Sequence, residues 1–248
     1  MDRLGIIDWG IGGISVYKLV REQLGDVPVT YFSDTGATPY GKMSPTELVA
    51  RLDAVIDYLV SKKRVSHLVI GCNAASTAIP QLADHGIPIL GVIGPAIDMT
   101  ERLRPQKLGL IGGRRTVVSG VYRRGFAALG MQVNQRIAQP LSAMIESGDT
   151  SSPALRDAAK QIVSPLRSCS HILLACTHYP AISPVLTQLL PGTVLIDPAA
   201  ELVGSIRLWN IECGSTTELI TTGDPIAMQT AAHAAFGVDI SSPVTIEL

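Results

Sequence analysis

The chain has 248 residues, is 46% hydrophobic and 17% charged, and carries a formal net charge of −1. That supplies core for one large domain or two small ones and excludes a disordered chain. The near-neutral balance, without a long basic or acidic block, gives no support to a nucleic-acid or membrane-surface role, and no apolar run is long enough to span a bilayer.

In chain order, short apolar runs alternate with helical segments, the pattern of βαβ units on a largely parallel sheet. Met1–Asp8 lacks the long apolar stretch of a signal peptide and reads as a first strand over Leu4–Ile7. Gly10-Ile11-Gly12-Gly13 turns it into a helix over Ser15–Leu24. Val29–Phe32 is a second strand, and Thr35–Met43 a loop. Ser44-Pro45-Thr46-Glu47 then carries the N-cap, early proline and capping-box glutamate of a helix running to about Lys62. His67–Ile70 is a strand leading to Cys72, with a helix beginning near Asn73 and a strand over Ile87–Val92. A second series follows, with strands at Leu108–Ile111, Met131–Ile137, His171–Ala175 and Thr193–Ile196. Its helices fall at Val117–Leu129, Ser152–Ser164 and Ser183–Leu190. Last come the strand Glu218–Thr221, a helix from Pro225 to about Phe236, and a strand over Val244–Leu248. The fold class is α/β, in two similar domains of mainly parallel sheet, the first over residues 1–97 and the second over 98–207. Pattern alone leaves open which domain the final segment completes.

The four cysteines, Cys72, Cys169, Cys176 and Cys213, fit neither a zinc spacing nor a small disulfide scaffold. A reducing cytoplasm is the simplest compartment, where thiols stay free. Cys72 and Cys176 each close an apolar run, at the strand end where open α/β sheets hold ligands. Their matched settings suggest one reactive sulfur on each side of a substrate. A thiol just before a helix is expected to feel the dipole and ionise more easily. For either cysteine alone, a small buried core residue is the plainer reading. His178, two residues past Cys176, could activate that thiol or act as an acid or base itself. Asp8 ends the first strand before the glycine turn, in the same crevice as Cys72, although a helix-capping aspartate is the competing reading. The glycines permit close backbone approach but do not make a full dinucleotide fingerprint. Glu146 alone reads as a surface acid, and backbone N–H groups of Pro39-Tyr40-Gly41 could bind a carboxylate or belong to an ordinary turn.

Together these strings resemble the glutamate racemase family, within the aspartate/glutamate racemase superfamily. The resemblance is carried in order by Gly5-Ile6-Ile7-Asp8 with Gly10–Val16, Tyr31–Thr35, Pro39-Tyr40-Gly41, Gly71-Cys72-Asn73, Gly91-Val92-Ile93, Thr116–Tyr122 and Cys176-Thr177-His178-Tyr179-Pro180. It implies racemisation without cofactor or metal, with Cys72 and Cys176 as the two bases. Asp8 would assist beside Cys72, and Glu146 and His178 beside Cys176. Asn73, Thr177, Thr116, Tyr40 and Gly41, with the adjoining Pro39, Trp9 and Ala74, would line the amino-acid site. The resemblance further implies two domains across a cleft, with residues 208–248 returning to the first. Members often form dimers, so a homodimer is the expected assembly, and a cell-wall role follows if glutamate is the substrate.

Three positions depart from the family pattern. Trp9 stands where serine is usual, and Ala74 and Gly113 where threonine is usual. Each lost hydrogen bond to a charged group costs about 1.5–3 kcal/mol, so glutamate binding should weaken unless other groups compensate. A racemase acting on another amino acid or acid, a same-fold decarboxylase or cis–trans isomerase using one thiol, and a catalytically silent small-molecule-binding protein all remain open.

Overall fold

The computed structural model describes residues 2–248. Its strands are β1 (Leu4–Asp8), β2 (Val29–Ser33), β3 (His67–Ile70), β4 (Ile89–Gly91), β5 (Leu108–Gly112), β6 (Val133–Ile137), β7 (His171–Ala175), β8 (Val194–Ile196), β9 (Thr217–Thr221) and β10 (Val244–Thr245). They form two sheets, ordered β10-β9-β2-β1-β3-β4 and β6-β5-β7-β8. Every pairing is parallel, as the alternation of strands and helices implies.

Helices cover both faces of each sheet, which is why the inner strands read as continuous apolar runs rather than alternating ones. In β1, Leu4 and Ile6 pack on one side with the helices Ile14–Leu24 and Ala199–Arg207, while Ile7 packs on the other with Leu48, Leu52, Val55 and Leu59 of the helix Pro45–Lys63. That helix begins as the sequence indicates: Ser44 accepts the Glu47 N–H, and the Glu47 carboxylate accepts the Ser44 N–H at 2.7 Å. In the second sheet, Ile172 and Leu174 face a core shared with Leu141, Leu155 and Leu186, while Leu110 and Leu173 face Tyr122 and Phe126.

The final segment returns to the first sheet, where β9 pairs with β2 and β10 with β9. Leu202, Val203 and Ile206 also lie in the first domain's core, so the helix Ala199–Arg207 packs there. Ile93 and Ala96 lie in the core of the second. The chain therefore crosses between the sheets twice, by the helices Ile93–Leu103 and Ala199–Arg207, and both lie where sequence pattern suggested no element. The helix after Cys72 is shorter than expected, covering only Asn73–Ser76. The helix expected over 117–129 divides into Arg114–Ser119 and Val121–Ala128 at Gly120, whose φ of +69° is the left-handed conformation that glycine adopts freely. No helix of the described residues is long and apolar enough to cross a membrane.

Candidate active site

The carboxyl ends of the two sheets converge on a cavity of about 480 Å³. From the first domain it is lined by Asp8 at the end of β1, by Trp9, by the loop Pro39-Tyr40-Gly41-Lys42, and by Cys72-Asn73-Ala74 after β3. From the second come Gly113 after β5, Thr116, one face of the helix Gln139–Glu146, and Cys176-Thr177-His178 after β7. Every residue singled out from the sequence as catalytic or substrate-binding lines this one cavity.

Cys176 is partly exposed to the cavity. Its Sγ lies 3.6 Å from His178 Nδ1 and 3.5 Å from Ser142 Oγ. His178 Nε2 meets Glu146 Oε2 at 2.6 Å, and Glu146 Oε2 also accepts the Ile11 N–H at 3.0 Å. Burial disfavours the imidazolium, but hydrogen bonds and charge attraction from Cys176 and Glu146 outweigh it and hold His178 well above the usual histidine range. The line Glu146–His178–Cys176 thus sets a positively charged donor beside a sulfur.

Cys72 differs from expectation. Burial pushes its thiol well above the usual thiol range, the Asp8 charge adds to the push, and backbone N–H groups of Ala75 and Ala74 offset only part of it. The dipole expected to favour the thiolate comes from a helix of four residues, too short to outweigh desolvation. Asp8 is buried and held on both oxygens: Trp9 N–H donates to Oδ1 and Thr177 Oγ1 to Oδ2, each at 2.7 Å. Burial still raises its pKa, against the lowering effects of His178, Thr177 and the Trp9 N–H.

The glycine turn brings the domains together. A Cβ at Gly10 would lie 2.1 Å from Glu146 Oε2, and one at Gly12 would lie 2.3 Å from Thr177 Oγ1 and 2.7 Å from His178 Nδ1. Real Cβ atoms do not approach so closely, so this turn can meet the second domain's acid–base groups only as glycine. The Tyr40 loop is anchored from behind, where the Tyr40 hydroxyl donates to Asp34 Oδ2 at 2.9 Å, and Arg51 Nε and Nη2 grip the same buried carboxylate. Asn73 accepts the Tyr122 hydroxyl at 2.7 Å through Oδ1, while its buried Nδ2 has no partner among the described residues.

At the departures, the Trp9 indole N–H donates to Ala37 O at 3.1 Å, and the side chain packs against the buried cluster that includes Phe32 and Tyr40. Ala74 and Gly113 offer no side-chain polar atom. Sequence reasoning missed Lys42, Gln139, Ser142 and Ala143. The helix Gln139–Glu146 has Pro140 in its first turn, and residues 139, 142, 143 and 146 follow the spacing of one helical face, a signal that Glu146 read alone does not give.

The Asp/Glu/hydantoin racemase family matches residues 4–206. A glutamate racemase of Synechococcus sp. (strain CC9605) is 39% identical over 203 residues, 79% of this chain and 75% of that protein. A solved glutamate racemase from Thermus thermophilus, in complex with β-chloro-D-alanine, superposes with a TM-score of 0.86 at 26% identity, covering 100% of this chain and 97% of the other. The glutamate racemase of Francisella tularensis in complex with D-glutamate shares the fold, with a TM-score of 0.88 at 21% identity and coverage of 99% and 97%. With this breadth of match and two all-parallel sheets meeting at one cleft, the chain belongs to the Asp/Glu/hydantoin racemase family.

Proposed function

We propose that this protein is a cofactor-independent amino-acid racemase, with glutamate as its default substrate. One observation carries the reading: Cys72 and Cys176 stand at the carboxyl edges of opposing sheets, on opposite walls of one cleft, each with its own acid–base neighbours. A racemase must run in both directions, and two bases on opposite faces meet that need.

In one direction the Cys176 thiolate takes the α-proton. The C–H bond breaks, an S–H bond forms at Cys176, and the electron pair passes into the α-carboxylate as an enolate-like carbanion. Asn73 and Thr116, which line the cavity, are the residues suited to hold that charge in a water-poor cleft. The Cys72 S–H then gives its proton to the opposite face, leaving a thiolate. Cys72 is held protonated by burial and by the Asp8 charge, which fits the donor role in this direction. The His178 imidazolium, held by Glu146, faces the Cys176 sulfur and steadies its negative charge before abstraction. The reverse direction exchanges the roles.

Within this reading the enzyme works in the cytoplasm as a homodimer, and its D-glutamate serves cell-wall synthesis. Trp9, Ala74 and Gly113 favour a second reading, the same chemistry on another amino acid or acid, because hydroxyls expected at those positions are absent. The test is α-proton exchange in D₂O with the wild-type protein and its Cys72→Ser and Cys176→Ser variants. Inversion that needs both sulfurs supports the reading, and full turnover with either serine variant rejects it.

A further inference from the structure

Gln139 opens the helix that ends at Glu146, and it stands on the seam between the domains. Its Oε1 accepts the Arg114 N–H at 3.1 Å. A backbone N–H can only donate, so the amide orientation follows, and Nε2 carries two N–H donors that no described residue accepts. A Cβ at Gly113 would lie 3.1 Å from Oε1, and one at Gly41 would lie 3.4 Å away. The carboxamide therefore fills the room that an absent side chain at 113 leaves, beside the Tyr40-Gly41 loop. This stretch of wall carries no carboxylate, and Lys42 stands at its edge.

Position along the helix indicates which part of a substrate Gln139 meets. Ser142 lies 3.5 Å from the Cys176 sulfur, and Gln139 is about one turn, ~5 Å, further along. The groups borne directly on the α-carbon stay beside the sulfurs, whereas a side-chain carboxylate reaches further. We propose that Gln139 is a specificity-determining residue whose Nε2 donates to the side-chain carboxylate of a dicarboxylic amino acid, taking over recognition that the hydroxyls absent at positions 9, 74 and 113 would supply. The proposal rests on the racemase reading and narrows its substrate class.

The experiment measures KM and kcat for α-proton exchange on glutamate, aspartate and glutamine, together with direct binding of each by NMR and the melting temperature. Gln139→Leu is expected to raise KM for glutamate about 10- to 100-fold, the loss of one hydrogen bond to a charged group, with the melting temperature kept. Gln139→Glu should raise it further by repelling the carboxylate, more for glutamate than for glutamine. Gly113→Thr should weaken glutamate binding because its Cβ meets the amide, and Gly113→Thr/Gln139→Ala should recover part of the loss. An unchanged KM and Kd for glutamate in Gln139→Leu, an effect confined to kcat, or an equal effect on glutamate and glutamine overturns the proposal. Absence of exchange by the wild-type protein on any amino acid rejects the racemase reading instead, and direct binding of glutamate to wild type and Gln139→Leu then judges the residue by itself.

Discussion

Glu146→Gln tests the acid–base line beside Cys176 with little change of shape. In the wild-type protein the Glu146 carboxylate meets His178 Nε2 at 2.6 Å, with the two side chains 17% and 6% exposed. A hydrogen bond to a charged group of this kind contributes about 1.5–3 kcal/mol, and 1.36 kcal/mol corresponds to one pKa unit, so removing the charge should lower the His178 pKa by about 1–2 units. The sign follows from the folded state. His178 is held above its usual value of about 6.5, so the stability it contributes is fully present below that pH and is lost as pH rises through the raised value. In Glu146→Gln this loss moves to lower pH, and the descending limb of activity, where the imidazolium is needed, moves with it. The assay is an NMR titration of the His178 ring carbons beside the pH–rate profile of α-proton exchange. If His178 titrates at the same pH in both proteins, the line Glu146–His178–Cys176 does not work as described.

Other perturbations reach different parts of the site and the core. Cys72→Ser and Cys176→Ser should each lower racemisation at least ~100-fold, the lower range of acid–base contributions, measured by chiral chromatography of the product. Asp8→Asn removes a charge that raises the Cys72 pKa, so Cys72 should be alkylated faster by iodoacetamide at a given pH, and an unchanged rate counts against that coupling. Gly12→Ala places a Cβ 2.3 Å from Thr177 Oγ1, so it should displace the second domain's acid–base groups and lower kcat, with wild-type kcat the contrary result. Phe126→Ala empties a fully buried site in the second core, for which about 3–5 kcal/mol and a fall in melting temperature of roughly 6–20 °C are expected, measured by calorimetry.

The strands were legible because β1, β3, β5 and β7 are buried on both faces and read as unbroken apolar runs closed by turn residues. Cys72 and Cys176 were legible for the same reason, each standing where such a run stops. The helices Gln139–Glu146 and Ala199–Arg207 were not, since neither has a side-chain N-cap and their apolar positions gain meaning only once both sheets exist to receive them. Gln139 and Ser142 went unseen with the first of these. The ionisation of Cys72 is not legible in the sequence, which shows a cysteine before a helix but neither the helix's length nor the Asp8 carboxylate that folding brings beside it. The glycine turn reads as permissive backbone in sequence, and only the packed domains show that it faces Glu146, Thr177 and His178.

The central claim is that two sulfurs act on opposite faces of one α-carbon. The measurement that reaches it most directly is ¹H NMR of L- and D-glutamate in D₂O with reduced wild-type protein, followed by the same run with aspartate and other amino acids. Loss of the α-proton signal together with inversion, from either enantiomer, is expected on at least one amino acid. No exchange from any of them with both thiols shown to be free, or exchange without inversion, would contradict it.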